Sequence, residues 1–104
     1  MNHKIYLDYN ASTPVAPEAV KAMQPYLTEH YGNPSSNHWA GTPARAAVAV
    51  ARKQIADLLG CNHAEIVFAS GGSEANNHAL KGVFFANQGK GNHIITTAVE
   101  HPPS

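Results

Sequence analysis

Five consecutive residues, Ser70-Gly71-Gly72-Ser73-Glu74, have the types and order that suit a phosphate group. Glycine lets the backbone turn sharply and come close to a ligand. A helix starting at this point would present unpaired N–H groups and a partial positive charge, both favourable to an anion. Ser73 would add a hydroxyl donor. The same residues would also serve a plain tight turn from strand to helix with Ser73 as its cap, and taken alone they divide evenly between the two readings. Two other phosphate patterns are not met. In the P-loop register Gly89-Lys90 is followed by Gly91, and Phe84 stands where the first glycine belongs. In the dinucleotide register Gly89-Lys90-Gly91 is followed by Asn92, His93 and Ile94.

His101 is the second candidate. Ligands of open α/β sheets gather beyond the carboxyl ends of the strands. Loops from two adjacent parallel strands would bring the His101 imidazole towards a phosphate ligand held at residues 70–73. Read alone, it is a solvent-exposed histidine near a terminus. The other six histidines show no metal-ligand spacing, and one cysteine cannot build a zinc finger, so no metal site is expected. Cys61, beside Asn62 and His63, reads as a turn cysteine rather than a nucleophile. Lys81 reads as a solvated lysine on a polar helix side, and Trp39 as a core or subunit-contact residue.

These residues need elements to carry them. Residues 5–9 form a short extended segment, followed by turn chemistry at 10–14. Pro17 suits the first turn of a helix running to about Tyr31, which Pro25 should kink or divide. Residues 32–41 are irregular. Thr42 is expected to cap a helix with Pro43 at its first position and Gly60 at its end. Val48, Ala51, Ile55 and Leu58 would be its buried stripe. Residues 65–69 and 93–99 read as β-strands flanking a helix over 74–87, which makes one βαβ unit preceded by helices. A parallel sheet needs more strands and two helical layers, so the architecture looks unfinished.

The 104 residues suit one small domain, with 43% hydrophobic residues and seven basic against seven acidic side chains. That balance gives no electrostatic case for nucleic acid or an anionic membrane. The start of the chain lacks the apolar run of a signal peptide, and no span long enough to cross a membrane is present. A cytoplasmic protein is the expectation, and the single cysteine fits a reducing compartment.

Four motifs stand in register: residues 6–14 (Tyr-Leu-Asp-Tyr-Asn-Ala-Ser-Thr-Pro), 31–36 (Tyr-Gly-Asn-Pro-Ser-Ser), 70–77 (Ser-Gly-Gly-Ser-Glu-Ala-Asn-Asn) and 100–102 (Glu-His-Pro). Together they closely resemble the N-terminal part of cysteine desulfurases, within the class V aminotransferase group. The resemblance covers essentially the whole chain. It implies the α/β fold-type I architecture of pyridoxal-phosphate enzymes, with residues 1–41 as an N-terminal arm and loop and 42–104 as the start of the large cofactor-binding domain. It implies that Gly72 and Ser73 bind the phosphate of pyridoxal 5'-phosphate. His101 would stack on the cofactor ring and assist proton transfer, and Asn10 and Ala11 would lie on the substrate side.

The family converts L-cysteine to L-alanine, leaves the sulfur on an enzyme persulfide for sulfur-acceptor proteins in iron–sulfur cluster biogenesis, and works as a homodimer. Its Schiff-base lysine lies in a Ser-x-His-Lys stretch absent from these residues, and Cys61 does not match its persulfide cysteine. The chain is therefore expected to be an inactive N-terminal fragment. A selenocysteine lyase or another class V aminotransferase as parent stays open. So do a non-catalytic phosphate-binding or dimerisation module, and an unstable remnant whose exposed apolar faces make it aggregate.

Overall fold

The structure, a computed structural model, describes residues 4–100. Among the described residues there are three α-helices, α1 (Pro17–Thr28), α2 (Gly41–Leu59) and α3 (Gly72–Ala86), with one 3-10 turn at His63–Glu65. The chain divides into two compact units, Met1–His63 and Ala64–Ser104.

In the first unit, α1 opens on Pro17, where the missing N–H would be unpaired in any case. Pro25 does not divide the helix as its position suggests. It lies inside α1, and its carbonyl accepts from both Glu29 N and His30 N, at 2.9 and 2.8 Å, where the helix ends. The start of α2 also differs from expectation. Ala40 is the capping position and Gly41 the first helical residue, so Thr42 and Pro43 fall two positions too late. The Thr42 hydroxyl donates back to the His38 carbonyl at 3.5 Å instead of capping the helix. The end is as expected: Gly60 adopts a left-handed φ of 68° and its N–H returns to Ala56 O.

The predicted buried stripe of α2 needs correction. Ala56, one position from that stripe, is buried at 2% exposure, and Gly41 at the helix start is buried too, whereas Leu58 is 84% exposed. Ala51 and Ile55 are half-buried and Val48 is exposed. Trp39 is exposed as well.

In the second unit the helix of the expected βαβ unit is present as α3, but its strands are not. Among the described residues no β-ladder forms: 66–69 and 91–97 have no regular structure. The residue types still favour extended backbone there. A parallel ladder is stable only when further strands and covering helices bury both of its faces. Here Val67, Ile94 and Ile95 are exposed. Among the described residues, no helix is long and apolar enough to cross a membrane.

Candidate functional site

The glycine-rich corner of the second unit is built by the start of α3. Gly71 occupies the capping position with an extended φ of 171°, and Gly72 and Ser73 are the first two helical residues. Gly71 has no side chain to cap the first turn. A Cβ added at Gly71 or Gly72 would meet nothing within 4 Å beyond its immediate neighbours in the chain and its own helix backbone. The corner therefore offers backbone donors and open approach, a donor set that fits a phosphate.

Glu74 shapes this corner in a way the sequence reading missed. Its Oε2 accepts from both the Ser70 N–H and the Ser70 hydroxyl, each at 2.6 Å. A glutamate at the third helical position commonly reaches back to the capping N–H. Here it reaches one residue further, so the usual Ser-x-x-Glu spacing does not reveal it. Asn77 fastens the same turn from within the helix, its Nδ2 donating to Ser73 O at 2.9 Å.

The Glu74 carboxyl is held below the ordinary carboxylate range, first by the Ser70 hydroxyl, then by the Ser70 N–H, with a smaller contribution from His78. A depressed pKa means that the contribution is fully present above the ordinary glutamate pKa and disappears as pH falls through the lowered value. Measured against its intrinsic exchange rate at each pH, the Ser70 amide should therefore be protected at neutral pH and lose that protection on acidification below the ordinary glutamate range. Glu74→Gln should abolish that pH step. A Ser70 amide equally protected at every pH would contradict this linkage.

The first unit holds two further motif regions. The Tyr6 hydroxyl lies 2.9 Å from Asp8 O and 3.1 Å from both Ser12 O and Ser12 Oγ. Ala11 N closes the enclosed turn onto Asp8 O at 3.0 Å. This knot carries Asn10 and Ala11 on an exposed turn. Tyr9 meets the Tyr6 ring edge-on, with centroids 5.2 Å apart.

Residues 31–41 form the second region, and here glycine is required by contact. A Cβ on Gly32 would run into the Ala40 carbonyl, and one on Gly41 would stand 2.5 Å from Asn33 O and 2.6 Å from Ser36 O. Arg45 ties the loop down from α2: its Nε donates to Pro34 O at 3.0 Å and its Nη2 to Ser36 O. Asn33 Oδ1 accepts from Ser35 N at 2.8 Å. Arg45, spaced nine and eleven residues from its partners, also escaped the sequence reading.

Gly72 and Ser73 thus sit together at the start of α3, while Asn10 and Ala11 belong to the other unit. His101 lies outside the described residues. Among the described residues no cluster of three or more potential metal ligands occurs.

A helix opened by a glycine pair and fastened through Ser70 and Glu74 sits within a chain whose sequence assigns it firmly: the chain belongs to the aminotransferase class-V family, whose model matches residues 5–103. Among curated proteins it is 51% identical over 100 residues to the cysteine desulfurase IscS of Methanosarcina thermophila, covering 96% of this chain and 25% of that one. It is 52% identical over 101 residues to the IscS of Dictyoglomus turgidum, covering 97% and 26%. With the cysteine desulfurase of Trichormus azollae the identity is 54% over 98 residues, covering 94% and 24%. The chain spans about a quarter of the length of these relatives.

Proposed function

We propose that this chain supplies part of the cofactor site of a pyridoxal-phosphate-dependent cysteine desulfurase, an enzyme that converts L-cysteine to L-alanine and passes the sulfur on through an enzyme persulfide. Family membership and the similarity to proteins named cysteine desulfurase support the reading. The observation that carries it is the glycine-lined start of α3, whose backbone donors suit a phosphate and where a Cβ at Gly71 or Gly72 would meet no more distant part of the chain.

In this reading Gly72 and Ser73 hold the cofactor phosphate, His101 packs on its ring and handles a proton, and the Asn10–Ala11 turn faces the substrate. Residues 1–41 act as an arm and loop, and residues 42–104 begin the large domain. The cofactor, when bound, supplies the electron sink, while the protein contributes binding and orientation. Ser70 donates its N–H and its hydroxyl to Glu74, so in this reading the phosphate is held by the first turn of α3.

Titration with pyridoxamine phosphate, which cannot condense with lysine, tests the phosphate assignment. The backbone amides between Ser70 and Ala75 should shift, and a titration leaving all of them unmoved would sink it. With added pyridoxal phosphate the chain alone should release neither sulfide nor alanine from cysteine. His101-dependent turnover by the purified chain would show that it is catalytic unaided.

A further inference from the structure

Gly71 and Gly72 are the residues of the α3 corner that give up most conformational freedom when they order. No packed surface lies beside them: a Cβ at either would find nothing within 4 Å beyond its chain neighbours and the helix itself. Hydrogen bonds on both sides fix them instead. Towards the helix, Ala75 N donates to Gly71 O at 3.1 Å and Asn77 Nδ2 to Ser73 O at 2.9 Å. Towards the preceding segment, the Glu74 carboxylate reaches back past both glycines and accepts the N–H and the hydroxyl of Ser70, each at 2.6 Å. These bonds close residues 70–74 into a ring with the two glycines inside it.

A carboxylate beside a phosphate site has two opposed effects. Its charge repels the anion, but Glu74 and Ser70 are exposed, so water and salt screen that repulsion. Its bonds to Ser70 are charge-assisted, about twice as strong as bonds to a neutral acceptor. His78, one turn further along α3, acts on the same carboxyl more weakly than Ser70 does.

We propose that Glu74 is a positioning residue for the phosphate site: acting through Ser70, it sets Gly71 and Gly72 in the backbone arrangement that receives the phosphate. The proposal rests on the cofactor reading of this corner and adds to it the group that orders the glycines before the ligand arrives. A ligand that meets a turn already ordered does not have to order it, and binds more tightly for that reason.

The full chain and its variants are titrated calorimetrically with pyridoxamine phosphate, and circular dichroism checks their helicity. Glu74→Ala is expected to weaken binding about tenfold, the lower end of what leaving two glycines for the ligand to order would do. Glu74→Gln keeps an oxygen able to accept both bonds and drops the charge, so its affinity should stay within about threefold of the unchanged chain. Ser70→Ala removes the hydroxyl alone and should weaken binding several-fold. In that background Glu74→Ala should add less than it does in the unchanged chain. Ser70 precedes α3, so this variant carries the test even where Glu74→Ala disturbs the helix. Undiminished binding by Glu74→Ala, or equal weakening by the alanine and glutamine variants, would overturn the proposal and leave the cofactor reading standing. No binding by the unchanged chain would overturn the cofactor reading and the proposal with it.

Discussion

Replacing Gly32 with alanine should destabilise the first unit by about 2 kcal/mol or more, the range in which an added methyl meets rigid surroundings. The new Cβ would run into the Ala40 carbonyl, and that atom is backbone, unable to swing aside as a side-chain tip could. Gly41→Ala should act in the same direction. At the start of an open helix alanine would gain up to about 1 kcal/mol over glycine. Contacts of 2.5 and 2.6 Å with two carbonyl oxygens outweigh that gain. Gly60→Ala should cost about 1 kcal/mol, through its left-handed φ alone, since open space surrounds it. Urea unfolding followed by helical circular dichroism checks the order, Gly32 ahead of Gly60. A Gly32→Ala midpoint equal to that of the unchanged chain would show that the two backbone segments do not approach as described.

Gly72→Ala should do the opposite: leave helicity intact and weaken binding of pyridoxamine phosphate about tenfold, which corresponds to about 1.4 kcal/mol. The chain itself has no need of glycine at 71 or 72. The φ of Gly71 is one that any residue adopts, Gly72 is helical, and neither position would crowd a Cβ. A requirement for glycine there would come from a ligand approaching the backbone. Ser73→Ala should weaken binding several-fold, as expected for the loss of one hydrogen bond to a charged group. Calorimetric titration of the three proteins reads both effects. Should Gly72→Ala bind as tightly as the unchanged chain, the glycines do not serve phosphate approach.

These contrasts show which parts of the molecule are legible in residue order. The start of α1 at Pro17, the end of α2 at Gly60 and the presence of α3 follow from local chemistry, because proline, a left-handed glycine and helical spacing each act within a turn or two. The start of α2 was misread because a loop contact decides it. Gly41 enters the helix packed against Asn33 and Ser36, and that outranks the capping preference of Thr42. The two strands were legible as residue preference, but a ladder depends on partner strands, which local sequence does not supply. The phosphate corner was legible as a glycine pair before a helix. The hold of Glu74 on Ser70 was not, since its spacing departs by one residue from the usual box.

The Arg45 tie has a consequence for the order in which the protein acquires its shape. It joins Arg45 to Ser36 and Pro34, nine and eleven positions away, and the Tyr6 knot spans only six. Contacts this local have a low contact order and close on the microsecond scale. A ribosome adds roughly 5–20 residues per second. The Gly32–Arg45 loop therefore needs no residue beyond the first turn of α2 in order to close, and its closure is fast against the addition of each further residue.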